Sequence, residues 1–473
     1  MIQNNNKQHA PFLLPLCATL VAWLGLVVLC YTTLQNETIY RLVSGSVKTY
    51  DVTQHDDGSK EVYLVKRPFN KVENQNLLHW DAFMYHELAQ YLYDPSILWV
   101  GYFAMFPLFP LLWRATHLSP IGISLLNYAL FIVGLLLLLK AFRQRNPLTS
   151  ARHLAITCML LLCMPYMVIF LIPYSEALFF VCIALGLYGL LQDRYWLYFI
   201  GFMLGCMTRA AGSILLVAWV IADVLAALHT RQPFKDLLLN LAKHLTPVLV
   251  GVGAVMLFQH VRGAEHWFEF AMAQQYWGKE LSLPTWPLTD WSNESLCVSK
   301  PLLLILFIPA LAWLAVSLIR GIHAYASSTE RKQPITFDSW SLVRTLSVLF
   351  FVGNIVLALL TQKGCMFSQA RLLTCTPFFF FLLIDIYHSR HVGWWRWVMA
   401  LFVVVATIMC REMIFHLASA GCALVILLTV LVFFGRVMNR HIRRILLALT
   451  LALNIFWTAY LFNCFLSGGW IFT

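Results

Sequence analysis

The chain is poor in charge: Asp, Glu, Lys and Arg make up only 12% of its 473 residues, while 60% are hydrophobic. A soluble domain of this length cannot bury that much apolar surface, which excludes the water-soluble globular class. A phosphate-binding loop, a glycine-rich dinucleotide turn and a Gly-x-Ser-x-Gly motif are also missing, which argues against a nucleotide-driven enzyme. The composition therefore predicts an all-α polytopic membrane protein.

Signals for metals and disulfides are weak as well. None of the 12 cysteines forms a Cys-x-x-Cys pair, and most lie in apolar runs, where they act as small hydrophobic residues. The histidines lack the spacing of metal ligands, and neighbouring acids such as Asp56 and Asp57 rarely converge on one ion. We therefore predict no metal and no cofactor, while a disulfide among Cys297, Cys365 and Cys464 stays open.

The formal net charge is +11, which by itself would suit a nucleic-acid partner. The basic residues, however, cluster at the ends of apolar runs. The run at about 120–141, for example, ends in Lys140, Arg143 and Arg145. This is the positive-inside pattern of cytoplasmic loops, so the chain is predicted to bind membrane lipid and no nucleic acid.

The apolar runs indicate one membrane domain, residues 1–473, with eleven to thirteen transmembrane helices. Residues 11–34 are predicted to form an uncleaved first helix. Residues 35–117 then form a long outer loop that ends in interfacial helices, because 101–117 is short and contains two prolines and an arginine.

The remaining bundle is predicted to cover residues 118–473, with a second outer loop at about 262–300. Continuous helices are expected over 153–172 and over 370–387, and a break between helices is expected near Arg209. Both outer loops lie on the non-cytoplasmic side in this topology.

The strongest chemical signal lies in the first outer loop, at His79-Trp80-Asp81. A carboxylate just outside a bilayer can take a proton from a sugar hydroxyl, and a Trp face can stack on a sugar ring. A helix N-cap or a solvated loop acid is the alternative interpretation of Asp81. We predict that Asp81 is a general base and that His79 and Trp80 bind substrate.

Arg209 and Arg371 each fall where an apolar run reaches the outer side, and ionisable residues at membrane depth are candidates for function. A planar guanidinium suits the phosphate of a lipid-linked sugar. The alternative is an interface anchor or an internal ion pair with Glu176. Glu176 after Ser175 is also typical of a helix cap with an acid in the first turn.

Phe106-Pro107-Leu108-Phe109-Pro110 shapes the backbone rather than reacts. Two prolines three residues apart fix φ and favour the start of a helix at the interface. The aromatic rings either line a lipid groove or anchor the segment in the interface.

Further short motifs follow in chain order, and the set resembles a known family. They are His79-Trp80-Asp81-Ala82, then Phe106-Pro107 with Pro110, then Tyr174-Ser175-Glu176-Ala177-Leu178-Phe179, then Arg209 with Gly212. The resemblance is to the PIG-V type of mannosyltransferase, the second mannosyltransferase of GPI-anchor assembly, and its bacterial relatives. It spans about residues 75–215, and extends more loosely to Arg371-Leu372-Leu373 with Pro377 and to residues 463–473.

The resemblance implies a GT-C glycosyltransferase fold. It implies transfer of a hexose, mannose above all, from a polyprenyl- or dolichyl-phosphate sugar to a glycolipid or glycan acceptor, with inversion and without a metal. Asp81 would be the family acid of the first outer loop. The phosphate-side and structural positions would be Tyr174, Ser175, Glu176, Arg209 and Arg371.

The chain departs from the family at Met84, where a polar or aromatic residue, commonly His, is usual, so the acceptor stays open. Its features fit a bacterial inner-membrane enzyme that faces the periplasm, with a lumenal site in the endoplasmic reticulum as the alternative. The eukaryotic family suggests a partner subunit. A flippase or transporter of lipid-linked sugars and an oligosaccharide polymerase or ligase are the alternative functions.

Overall fold

The structure is a computed structural model of the chain. It describes residues 13–36, 49–54, 60–65, 69–283, 299–326, 337–361, 369–389, 392–411, 418–469 and 471. Within these ranges the protein is a bundle of α-helices with a smaller polar layer at one end. That layer carries the residues of the candidate site.

In chain order, the first nine helices are α1 (Leu13–Leu34), α2 (Asp81–Tyr91), α3 (Leu108–Thr116), α4 (Pro120–Arg145), α5 (Ala151–Leu162), α6 (Glu176–Leu191), α7 (Tyr195–Thr208), α8 (Ile214–Thr230) and α9 (Phe234–Val261). The others are α10 (Glu269–Met272), α11 (Ser299–Ala326), α12 (Ser339–Thr361), α13 (Gln369–Thr374), α14 (Pro377–His388), α15 (Trp394–Arg411), α16 (Ala418–Phe434) and α17 (Arg440–Leu466). Short 3₁₀ turns connect several of them, at Gln75–Leu77, Val100–Ala104, Met167–Leu171, Ala210–Ser213 and Ala273–Trp277.

Seven described helices are long and apolar enough to cross a membrane, which confirms a multi-pass integral membrane protein. They are α1, α4, α8 with the turn before it, α9, α11, α12 and α17. Six shorter apolar helices, α5, α6, α7, α14, α15 and α16, complete the bundle. A total of eleven to thirteen spans, the GT-C fold and the single domain stay predictions.

The bundle is all-α as predicted, and one small sheet lies outside it. Between α1 and α2, the strands β1 (Thr49–Gln54) and β2 (Lys60–Val65) form an antiparallel hairpin in which Thr49 pairs with Val65 and Gln54 with Lys60. The sequence analysis did not predict this hairpin. Alternation of apolar and polar residues in β2 was a weak signal for it. Asp56 and Asp57 lie outside the described residues.

Two helices predicted as continuous are interrupted. The stretch 153–172 contains α5 and then a turn at Pro165, because proline disfavours a helical conformation in the residue before it. The stretch 370–387 divides into α13 and α14, with Pro377 as the first residue of α14. The expected break near Arg209 is confirmed, since α7 ends at Thr208 and α8 begins at Ile214.

Close backbone packing holds α6 against α7, the two helices whose outer ends carry Glu176 and Arg209. A Cβ on Gly201 would lie 2.3 Å from the Gly186 nitrogen and 2.6 Å from its Cα. Only glycine at this crossing lets the helices approach so closely. This packing fixes the spacing of the two charged ends.

Candidate functional site

Asp81 is the first residue of α2, where a carboxylate is favoured by the helix dipole. Trp80, just before it, has φ 55° and ψ −129°, a conformation that L-residues other than glycine rarely adopt. The sharp turn aims the Asp81 side chain at α13 instead of at the first N–H groups of its own helix. Such strained backbone is often found at functional positions.

Arg371, on α13, is the centre of the polar cluster. Its Nη2 donates to Asp81 Oδ2 at 2.5 Å, and its Nε lies 3.6 Å from Glu176 Oε1. Arg209 Nη1 lies 2.6 Å from the same Glu176 oxygen. The structure thus links four predicted site residues in the order Asp81, Arg371, Glu176, Arg209, and the ion pair between Arg209 and Glu176 is one of the two alternatives left open by the sequence.

The two carboxylates differ in access. The Asp81 side chain is 24% exposed, whereas that of Glu176 is 3% exposed. Glu176 therefore acts inside the protein as the common anion of two guanidiniums. Asp81 is held by one guanidinium and remains partly open to solvent.

Tyr174 forms one wall of the cluster. The Arg371 guanidinium carbon lies 5.0 Å from the centre of the Tyr174 ring. The Tyr174 loop is itself fixed by Asn127, whose Nδ2 donates to the carbonyls of Ile172 and Tyr174 at 2.7 and 2.9 Å. The predicted position of Tyr174 at the site is thus explained by two buried hydrogen bonds from α4.

Ser175 precedes the first residue of α6 but its side chain does not cap that helix. Instead, its Oγ lies 2.8 Å from the hydroxyl of Tyr85 on α2. Burial raises the pKa of Tyr85 to about 12, so this phenol stays protonated at physiological pH. The side-chain cap suggested for Ser175 is therefore wrong, and the residue joins α2 to α6 beside the cluster.

His79 and Trp80 lie on either side of the turn before Asp81. The His79 ring packs edge-on against Phe465 of α17, with the ring centres 6.0 Å apart. Trp80 is 46% exposed, although it is next to a buried cluster. Trp80 is thus placed to meet a molecule that approaches Asp81, and His79 is placed to hold the turn against α17.

The residues that were predicted to shape the backbone lie at the start of α3 and in the turn after α7. Pro107 precedes α3 and Pro110 lies in its first turn, so the helix begins at the prolines as expected. Phe106 is buried, and its ring packs edge-on against Phe270 with the ring centres 5.4 Å apart. A Cβ on Gly212 would lie 2.7 Å from Cys206 Cα, so Gly212 allows the chain to fold back onto α7 after Arg209.

Met84, the position that departs from the family, is buried in a hydrophobic cluster with Leu88 and Tyr93. It does not extend the polar site. Cys464 is buried, and the other two cysteines of the suggested disulfide, Cys297 and Cys365, lie outside the described residues. The described residues contain no group of three His, Cys, Asp or Glu side chains placed to hold a metal ion.

Lys279, which follows the 3₁₀ turn Ala273–Trp277 between α10 and α11, was not predicted from the sequence. The charges of Asp81, Arg371 and Arg209 all act on its ammonium group. Burial lowers the pKa of Lys279 below its ordinary value. No local motif marks this lysine, because its approach to the site depends on packing between the two outer loops.

An apolar cavity of about 210 Å³ lies beside the cluster. Thr374, one helical turn after Arg371, is among its lining residues, and the lining then follows α14 from Phe379 to Ile386. Helices α11, α12, α15, α16 and α17 supply most of the other walls. The cavity thus reaches, at Thr374, to within one helical turn of Arg371 along α13.

The chain matches no protein-family model, no curated protein and no solved structure. The function is therefore inferred from the side chains of the site.

Proposed function

We propose that the protein is a membrane glycosyltransferase of the mannosyltransferase type. It moves a hexose from a polyprenyl- or dolichyl-phosphate sugar to a glycolipid or glycan acceptor at the non-cytoplasmic face. The observation that carries the proposal is the contrast between two carboxylates that share Arg371: Glu176 is closed off, and Asp81 is open. An open, oriented carboxylate at the end of a membrane bundle is suited to act as a general base.

The lipid-linked donor is supported by the neighbouring charged and apolar volumes. The apolar cavity beside Thr374 is suited to part of an isoprenoid chain, because it is lined almost entirely by hydrocarbon side chains. The cationic groups next to it are suited to the phosphate at the head of such a chain. A soluble nucleotide-sugar would not need an apolar site of this kind.

In the proposed reaction the acceptor hydroxyl oxygen attacks C1 of the donor sugar. Asp81 Oδ1 takes the hydroxyl proton, while Oδ2 keeps its hydrogen bond to Arg371. The bond between C1 and the phosphate oxygen breaks, and its electron pair leaves with polyprenyl phosphate. Attack from the face opposite the phosphate inverts the configuration at C1. Asp81 then returns its proton to water.

Arg371 serves this step by position as well as by charge. It holds Asp81 in one orientation, since a charge-assisted hydrogen bond at 2.5 Å fixes the carboxylate plane. Glu176 in turn holds Arg371, and Arg209 holds Glu176. Trp80 offers an exposed ring to the sugar beside the base.

A transporter of lipid-linked sugars would place charged residues around a polar cavity within the membrane. Asp223 and His244 form a buried polar pair in the described bundle, with His244 Nδ1 2.9 Å from both Asp223 carboxylate oxygens. The Trp219 ring stacks on His244 at 4.3 Å, and both Asp223 and His244 are buried. At this pair, protein side chains take the place of a substrate as the polar partner, which favours the enzyme over the transporter.

Purified protein in detergent tests the proposal, because a micelle has no two compartments between which a transporter could move its substrate. Radiolabelled polyprenyl-phosphate mannose is mixed with a crude envelope-lipid extract as acceptor, in parallel with glucose- and arabinose-type donors. The proposal expects labelled acceptor and an equal amount of released polyprenyl phosphate from at least one donor. Intact donors in detergent, together with donor movement across vesicles that contain the protein, would contradict it.

A further inference from the structure

The polar cluster carries more positive than negative charge. Three cationic groups, Arg209, Arg371 and Lys279, interact with two carboxylates, Asp81 and Glu176. One positive charge is therefore left over at the outer surface of the bundle. A surplus charge in a partly buried site favours an anionic ligand.

The surplus belongs to Lys279. Arg371 and Arg209 each lie close to a carboxylate oxygen, at 2.5 and 2.6 Å. The ammonium of Lys279 donates instead to a neutral amide, Gln274 Oε1, at 2.9 Å. Lys279 is thus a half-buried cation whose described hydrogen-bond partner carries no charge.

Such a group is costly until an anion arrives. Removing an ammonium from water without a counter-charge raises the free energy of the protein, and a bound anion restores the lost interaction. An ammonium has three donors, so it can keep Gln274 and still donate to a second acceptor. The half-buried side chain leaves room for that acceptor.

The loop around Lys279 is fixed to the first outer loop. Trp277 Nε1 donates to the Gly101 carbonyl at 2.9 Å, and Gln274 Nε2 donates to the Ala104 carbonyl at 3.2 Å. Gly278 then turns the chain just before Lys279 with φ +67°, a left-handed conformation that glycine adopts without strain. The lysine is held in place by the same segment that leads into α3.

We propose that Lys279 binds the phosphate of the lipid-linked donor, and that Arg371 and Arg209 chiefly orient the carboxylates. This inference rests on the proposed function, since it assigns the donor phosphate to one residue of the same site. It assigns the two guanidiniums a positioning role and the lysine the direct contact. It also gives the second outer loop a part in substrate binding.

The test compares binding of a polyprenyl phosphate with binding of the polyprenol of equal chain length, in detergent, without any transfer reaction. Wild type is set beside Lys279→Gln, Lys279→Arg and the control Lys71→Ala, which removes an exposed lysine of the first outer loop. We expect the preference of wild type for the phosphate to fall about tenfold or more in Lys279→Gln. Lys279→Arg should keep most of it, and Lys71→Ala all of it.

Two results would overturn the inference in different ways. If wild type prefers the phosphate and Lys279→Gln keeps that preference, the phosphate is bound elsewhere, and the glycosyltransferase proposal stands without Lys279. If wild type shows no preference for the phosphate over the alcohol, both the inference and the lipid-phosphate donor are wrong. If Lys279→Arg, unlike Lys279→Gln, keeps the preference for the phosphate, the positive charge at this position makes the contact. A packing role alone would not distinguish the phosphate from the alcohol.

Discussion

Arg371 contacts both carboxylates of the site, with Nη2 2.5 Å from Asp81 Oδ2 and Nε 3.6 Å from Glu176 Oε1. The residues it joins are far apart in sequence: 290 positions separate Arg371 from Asp81. One buried guanidinium thereby sets the position of the open acid relative to the closed one. The chemistry proposed for Asp81 depends on this contact.

Loss of Arg371 should destabilise the protein strongly. Arg371→Leu leaves Asp81 without its cation and Glu176 with only Arg209, and breaking a buried ion pair from one side costs about 3–5 kcal/mol. The free energy of unfolding in detergent measures this. Arg262→Ala, which removes an exposed arginine at the outer end of α9, is the matched control and should cost far less. Equal stability of the two variants would show that the Arg371 network contributes little.

Substitutions of Trp80 should affect stability and activity differently. Its φ of 55° suits glycine, so Trp80→Gly should be more stable than Trp80→Ala, by about 1 kcal/mol. Both variants remove the exposed ring and should raise the KM for acceptor or donor, whereas Trp80→Phe should retain most of the binding. Thermal unfolding and steady-state kinetics on the same preparations measure the two effects. Wild-type KM values in Trp80→Ala would exclude a substrate contact.

The glycine at the crossing of α6 and α7 gives a test away from the site. Gly201→Ala places a Cβ 2.3 Å from a backbone nitrogen, so the helices must move apart, at a cost of about 1–3 kcal/mol. The shift also separates the outer ends that carry Glu176 and Arg209, so transfer should fall with stability. Gly253→Ala on α9 meets nothing within 4 Å and should be neutral. Thermal unfolding of both variants measures the difference, and equal unfolding temperatures would contradict the close packing at this crossing.

Because of Lys279, the rate of sugar transfer should fall at a lower pH on the alkaline side than the ordinary pKa of lysine would predict. Its pKa lies below the ordinary value because burial disfavours the charged form, and the charges that face it are Asp81, Arg371 and Arg209. Only the protonated amine holds phosphate, so donor binding should weaken as pH rises through this lowered pKa. A profile of kcat/KM for donor against pH measures the decline. Lys279→Arg stays charged and should move it to higher pH; an unchanged profile would contradict the assignment.

Much of the site was predictable from short motifs, but its contacts were not. Asp81, Glu176, Arg209 and Arg371 stood out because charge is rare in this chain, and an ion pair between Arg209 and Glu176 was one of the alternatives that the sequence left open. The approach of Arg371 to Asp81 depends on packing across most of the sequence. That relationship leaves no local pattern in either segment.

Errors in the predicted fold have physical causes that differ from case to case. Pro377 is itself a signal for the interruption before it. The apolar residues on both sides, however, resemble one continuous helix, and this concealed the interruption. Lys279 was invisible because its loop has no periodicity and reaches the site through hydrogen bonds such as that of Trp277 to Gly101. Charged site residues can be predicted from a sequence in which charge is scarce, whereas the packing of one loop against another cannot.

The most direct test of Asp81 as the base is sugar transfer by Asp81→Asn beside wild type, with any donor that wild type accepts. Asparagine keeps the size of the side chain and an oxygen for Arg371, but it cannot take the proton. Glu73→Gln, which neutralises an exposed acid of the same outer loop, is the control. We predict that Asp81→Asn stays folded and loses transfer at least about a hundredfold, while Glu73→Gln matches wild type. Transfer at the wild-type rate by folded Asp81→Asn would contradict the assignment of Asp81 as the base.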